Sequence, residues 1–326
     1  YLYHNPSENK FQVIPYDYDN SFGVDWFNIN WANANPYSFP KVASGYRPLA
    51  ERLMSNNQYR DLYTHFLSFY RTNVTSLPLW EARLDSLKNM IAPAAIPDTF
   101  RTLDYGFSVN DFFDSYSASG YQNQHVKFGL KQFVNQRNQS IQSQLNYVNA
   151  SPIAYEIKFS PGYPSPTDSI YVYASCFSNA GLSEVSIRFT KEGTTEEEVF
   201  PMTFNPVPNT KKVEDADRWI GVIPPLGDGG SGSFKVYLKD ALNRTLLYPR
   251  KETVKVKAFN FAAQSVVINE FMADNKTTIK DPSGEYDDWI ELYNPTSSPV
   301  LLTGKYLTDK PGNLTKWKFT QPDLYI

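Results

Sequence analysis

Two aspartates one residue apart, Asp17 and Asp19, follow the apolar run Phe11-Gln-Val-Ile-Pro-Tyr16 and precede Asn20-Ser-Phe-Gly23. On extended chain, residues i and i+2 face the same side, so both carboxylates can aim at one point. Converging carboxylates at a strand exit suit a hard cation such as Mg2+. That ion takes one or two carboxylates and leaves its other positions to water and substrate phosphates. Spacing alone also permits a solvated turn, where Asp and Asn are common.

Other reactive residue types read as structural. Cys176, the only cysteine, lies in the strand-like run Ile170-Tyr-Val-Tyr-Ala-Ser-Cys176, where a buried inert thiol is expected and no intramolecular disulfide is possible. His4, His65 and His125 lie far apart and in no ligand spacing, His4 in a turn and His65 in a helix. Asp25 and Trp26 are expected to be structural, with Trp26 packing on helices. The glycine-rich Asp228-Gly-Gly-Ser-Gly232 precedes a strand rather than a helix, so it reads as a β-turn and not a phosphate cradle. Asp281, Asp287 and Asp288 read as a solvated acidic loop rather than a Ca2+ turn. No G-x-S-x-G nucleophile elbow occurs.

The elements that must position these residues change in kind along the chain. Tyr1-Leu-Tyr and Phe11 to Pro15 form a hairpin around the turn His4-Asn-Pro-Ser-Glu-Asn9. After a polar, aromatic loop from Asn28 to Ser44, Pro48 opens a helix. Tyr59, Leu62, Tyr63, Phe66, Leu67 and Tyr70 then recur at helical spacing. Further helices are expected at 78–91 and 107–116, and a long one from Gln124 to Val148 with Val126, Leu130, Phe133, Val134, Ile141, Leu145 and Val148 on its stripe. Between 151 and 262 the period becomes two, with strands at 154–159, 169–174, 183–189, 218–223 and 233–238 separated by Gly, Pro, Asn and Asp. This predicts an immunoglobulin-like β-sandwich without the Cys…Trp…Cys set of antibody domains. A further β unit begins at Ser265 to Phe271 and continues through Asp288 to Asn294, Val300 to Leu302 and Lys316 to Phe319. Three domains follow: 1–150, 151–262 and 263–326.

The chain has 326 residues, 41% apolar and 20% charged, with net charge −3. Nothing in that balance recommends a nucleic-acid partner. No apolar stretch approaches the roughly 20 residues of a membrane span. Aromatics make up 16%, led by 23 Tyr and 22 Phe, a composition common in secreted carbohydrate-associated proteins.

Tyr1-Leu-Tyr-His-Asn-Pro, Gln12-Val-Ile-Pro-Tyr-Asp-Tyr-Asp-Asn-Ser-Phe-Gly23, Pro48-Leu-Ala-Glu-Arg-Leu and Asn57-Gln-Tyr-Arg resemble the spore coat protein H (CotH) kinase family over about 1–148. That resemblance implies the C-terminal, mainly α part of an atypical protein-kinase-like α+β domain, with Asp17 and Asp19 as metal-binding positions. It also implies Mg2+ and ATP as cofactors and a protein phosphoacceptor. The family's nucleotide lobe and catalytic aspartate would fall before Tyr1, so the fragment is expected to be inactive alone. Val267-Ile-Asn-Glu-Phe-Met-Ala-Asp-Asn275, Asp281-Pro-Ser-Gly-Glu-Tyr-Asp-Asp-Trp-Ile-Glu-Leu-Tyr-Asn294 and Leu302-Thr-Gly-Lys-Tyr-Leu-Thr-Asp309 resemble a bacterial lamin tail domain. This implies a partial immunoglobulin-like barrel, with closing strands expected beyond Phe319, that binds a surface protein or glycan. Together these imply a secreted or cell-surface bacterial protein. The competing readings are a non-catalytic adhesin or scaffold with a degenerate kinase domain, and a D-x-D glycosyltransferase, for which the helices after Gly23 give no support.

Overall fold

The computed structural model describes residues 2–5, 10–15, 20–38, 48–103, 105–259 and 266–326. The chain divides into two compact units, Tyr1–Ala150 with Asn209–Val213, and Ser151–Pro208 with Glu214–Ile326. The first is mainly helical and the second is built from antiparallel sheets, so the chain is multidomain with substantial β content.

In the first unit β1 (Leu2–Asn5) pairs with β2 (Lys10–Val13). His4 lies in that strand rather than in the expected turn, its ring 5.0 Å from Phe11. The helices are α1 (Pro48–Ser55), α2 (Asn57–Asn73), α3 (Leu77–Ala95), α4 (Val109–Asp114) and α5 (Leu130–Gln144). Local chemistry sets their starts. The Asn56 side chain accepts from the backbone N–H groups of Gln58 and Tyr59, capping α2. Pro78 stands in the first turn of α3. Ser108 and Asp111 form a reciprocal capping box on α4.

α5 is shorter at both ends than its apolar stripe predicts. Val126 bridges to Val24, which holds that backbone extended, and Gly129 becomes the cap. At the other end Leu145 leaves the helix with ψ 125°. The segment beyond it is held by the buried Asp61 of α2, whose oxygens accept from Val148 N (2.6 Å) and Ala150 N (2.7 Å). α2 and α5 are joined by paired bonds: Arg71 Nη1 donates to Asn138 Oδ1, and Asn138 Nδ2 donates to the Arg71 carbonyl. α3 and α5 are joined by Lys131, which reaches Asp85 and Glu81.

The second unit begins with β3 (Ile153–Ser160), β4 (Ile170–Phe177), β5 (Leu182–Lys191), β6 (Glu197–Pro201) and β7 (Thr203–Phe204). It continues with β8 (Arg218–Ile223), β9 (Ser231–Asp240), β10 (Thr245–Tyr248) and β11 (Val254–Lys257). The order β3-β4-β8-β7 makes one sheet; β10-β9-β5-β6, with β11 also on β9, makes the other. Alternation along β9 buries Phe234, Val236 and Leu238 and turns Lys235, Tyr237 and Lys239 away. Those three meet Ile170 and Val172 of β4 and Ile187 and Phe189 of β5 in one core. At Gly221 of β8 a Cβ would stand 2.8 Å from the Ile187 and Met202 side chains, so the close approach there requires glycine. Strands were expected at β3, β4, β5, β8 and β9; β6, β7, β10 and β11 are too short or too polar to show in the pattern.

Residues 266–326 add β12 (Val267–Met272) on β13 (Trp289–Tyr293), and β14 (Tyr306–Leu307) on β15 (Trp317–Lys318). The strand expected at Val300–Leu302 is reduced to a bridge between Leu301 and Tyr325. Leu302 and Phe319 are buried, whereas Phe271 is 68% exposed. Among the described residues no helix is long and apolar enough to cross a membrane.

Core and surface phenylalanines should therefore respond differently to truncation. Phe234→Ala is expected to cost about 3–5 kcal/mol in urea denaturation, and Phe271→Ala to change stability by no more than about 0.5 kcal/mol. Equal effects would mean that the core is misassigned.

Candidate functional site

Asp17 and Asp19, the expected metal positions, lie outside the described residues, which resume at Asn20. β2 leads in, and residues 20–38 lead out. Phe22 (φ 58°) and Gly23 (φ 88°) both take the left-handed region, which turns the chain sharply after the aspartates. The Phe22 ring packs edge-on against Trp80 of α3 and Phe133 of α5, at 6.0 and 6.2 Å. A Cβ on Gly23 would stand 2.7 Å from the Phe133 ring and 2.9 Å from that of Phe128. The Phe-Gly pair of the motif is thus a tight turn packed into the aromatic face of two helices.

The next residues form a rigid support. Asp25 is buried, its Oδ1 accepting from Phe27 N (3.0 Å) and its Oδ2 from Ile29 N (2.8 Å). Burial alone would raise its pKa; those backbone bonds, with Trp31 and the charge of Lys127, outweigh it and hold the carboxyl below its ordinary value. Asp25 is accordingly structural, as expected. Its own N–H donates to the His125 carbonyl at 2.7 Å, in line with the Val24–Val126 bridge. Farther on, Ala32 is fully buried, Arg137 donates to the Ala34 carbonyl, and Tyr63 donates to the Pro36 carbonyl at 3.0 Å.

Trp26 behaves otherwise than expected. It is half exposed and stacks on the His125 ring at 4.0 Å rather than on a helix, while its Nε1 donates to Asn20 Oδ1 at 2.7 Å. Tyr105 and Phe107 meet the same imidazole edge-on. His125, incidental in the sequence, is therefore the centre of an aromatic cluster beside the motif. The cue for it was Gly129, which marks the true start of α5 and leaves His125 outside the helix. The capping carboxylate Asp111 is held at about 2 by its bonds from the Ser108 hydroxyl and N–H, with Asn123 and Tyr121 adding to them.

The remaining sequence candidates do not converge. His65 lies in α2, and Cys176 is buried in β4, where burial pushes its thiol up. Gly227 to Gly230 closes a turn before β9. Asp281 Oδ1 accepts from Glu285 N and Asp288 Oδ1 from Asn275 N, so each closes a loop. Among the described residues no group of three or more His, Cys, Asp or Glu side chains is placed to hold a metal.

A family model described as CotH kinase protein matches residues 1–141. The helical unit and its motif are therefore CotH-like, and the match stops before the sheets of the second unit. No curated protein matches the chain. Among solved structures it is similar to a cycloalternan-degrading enzyme from Trueperella pyogenes in complex with cycloalternan. That similarity has 15% identity and a TM-score of 0.26, and covers 41% of this chain and 19% of that one. A likeness of that degree carries no argument about fold or function.

Two outcomes follow from this geometry. Gly23→Ala must adopt a strained φ, at about 1–3 kcal/mol, and displace Phe133; a variant that melts with the wild type would show that the turn is not as described. Asp25 and Asp111 have folded pKa values below the unfolded value of about 3.9. Their stabilisation is present above that pH and lost as pH falls, for Asp111 through about 2. Asp25→Asn should thus lessen the loss of stability on acidification below about pH 4, read by tryptophan fluorescence; an acid limb as steep as wild type contradicts the assignment.

Proposed function

We propose that the chain belongs to a secreted or cell-surface bacterial CotH-like atypical protein kinase, with β modules that attach it to a surface protein or glycan. The reaction is transfer of the ATP γ-phosphoryl group to a protein acceptor. The observation that carries this reading is the CotH kinase protein match over residues 1–141, which spans the D-x-D-x-x-F-G motif.

The donor chemistry agrees with it. Asp17 and Asp19 offer two hard oxygen ligands at i and i+2, the complement that Mg2+ takes when phosphates and water complete its shell. Bound there, the ion would neutralise phosphate charge and hold the nucleotide. The chain's own part is positioning, on which phosphoryl transfer chiefly depends. Phe22 and Gly23, locked against Trp80 and Phe133, fix the exit of the aspartate loop. The Asp25 turn stiffens the next residues.

The test is Mg2+-dependent transfer of labelled γ-phosphate by the full-length protein. Asp17→Asn and Asp19→Asn should each lower it by at least the roughly 10–100-fold that loss of a group merely supporting a metal ligand costs, without altering the melt, while Asp281→Asn leaves it unchanged. A well-folded protein that binds no Mg-ATP and transfers nothing overturns the kinase reading and favours the adhesin. Variants that transfer at the wild-type rate remove Asp17 and Asp19 from the site.

A further inference from the structure

A cleft of about 550 Å3 opens where β5, β9 and β11 meet Tyr163 and Phe259, within the size range of small-molecule sites. Strand register determines its floor. Ser233 pairs with Thr190 on one side and with Lys255 on the other, so the three side chains stand in one cross-strand row. In the next row Lys257 pairs with Ser231, whose hydroxyl donates to the Glu192 carboxylate. Lys255 and Lys257, two apart on one strand, project from the same face about 7 Å from each other. The wall is aromatic: Tyr163 and Phe259 meet edge-to-face at 5.2 Å, and the Lys257 ammonium lies 6.0 Å from the Phe259 ring centre.

The charge is one-sided. Lys191, Lys255 and Lys257 line the cleft against one carboxylate, Glu192, which already accepts from Ser231. Among the described residues none of the three lysines forms an ion pair. A chain of net charge −3 thus keeps a local excess of positive charge over an aromatic wall.

We infer that this cleft binds an acidic glycan, with uronate carboxylates on Lys255 and Lys257 and the apolar face of a sugar ring against Tyr163. Three features select that chemistry. Tyr163 and Phe259 are inclined at 72° and Tyr325 packs on Tyr163 at 4.5 Å, inclined at 62°, so the rings form no parallel slot for a nucleobase and only the uncovered part of Tyr163 is left for a saturated ring. Tyr163 is 38% exposed, so that surface is open to solvent. The cations are lysines, point charges with no arginine fork for bidentate phosphate recognition, and the Thr190 and Ser233 hydroxyls both donate and accept, as sugar hydroxyls require. The inference rests on the reading of the β modules as binding modules and is independent of phosphate transfer.

The experiment is calorimetric titration of the full chain with oligogalacturonate, a neutral malto-oligosaccharide, inorganic phosphate and dextran sulfate. Oligogalacturonate should bind, more weakly as salt rises. Lys255→Ala, Lys257→Ala and Tyr163→Ala should each lose about tenfold in affinity, and Lys310→Ala nothing, with all four variants melting as wild type. Absence of uronate binding overturns the inference, as does equal affinity for the neutral sugar or unchanged affinity in the lysine variants. Phosphate or dextran sulfate that competes equally and needs the same lysines would also overturn it, by showing a generic anion patch. Because phosphate transfer is read in a separate assay, failure of either proposal is distinguishable from failure of the other.

Discussion

Irregular backbone that becomes buried must still find hydrogen-bond partners, and in this chain buried aspartates supply them. Asp25 accepts from Phe27 and Ile29, Asp61 from Val148 and Ala150, and Asp240 from Leu242 and Arg244. Each carboxylate offers two oxygens, only accepts, and can satisfy two N–H groups at once. Asp240, fully buried, is also met by the Arg244 Nε at 2.8 Å. Burial would raise its pKa, and the bonds from Arg244 and Leu242 reverse the sign. These carboxylates are costly to bury only if left unpaired, and here the pairing is what allows long loops to pack.

The same device explains why the loop after the D-x-D motif can be both non-helical and well placed. Residues 20–38 contain no regular element beyond the bridge at Val24, yet their backbone is held at Asp25, at Ala34 by Arg137 and at Pro36 by Tyr63. Those donors come from α2 and α5, which are themselves joined through Arg71 and Asn138. The helices thus act as a frame on which the loop is strung. A group presented by such a loop keeps its position without needing a strand or helix of its own.

Much of this was legible in the sequence because the signals were periodic. Five helices and the strands β3, β4, β5, β8 and β9 lie where the apolar spacing put them, since a side chain's face is fixed by its period. The CotH resemblance rested on four short segments between Tyr1 and Arg60, and the family match covers that region. What the pattern hid was governed by single residues and distant partners. α5 kept an apolar stripe back to Val126, so only the pairing of Val126 with Val24 reveals that the helix begins later. Trp26 was expected to pack on helices, but its neighbour His125 arrives from about a hundred residues away. β10 and β11 have four residues each, too few for alternation to register against a loop.

The contrast between the two chemistries proposed for the chain follows from how each set of residues is encoded. Asp17 and Asp19 are two positions apart, so the convergence proposed for them follows from strand alternation alone. Thr190 lies more than sixty positions before Lys255 and Lys257, and only the pairing of β5 and β11 with β9 brings them to one face. A local motif declares its chemistry before folding, whereas a cross-strand site exists only after register is fixed. Register here depends on the alternate burial of Phe234, Val236 and Leu238, because a slip of one residue would turn Ser231 and Ser233 into the core and those three outward. The packing of the sandwich core and the composition of the cleft are therefore one constraint, satisfied on opposite faces of the same strand.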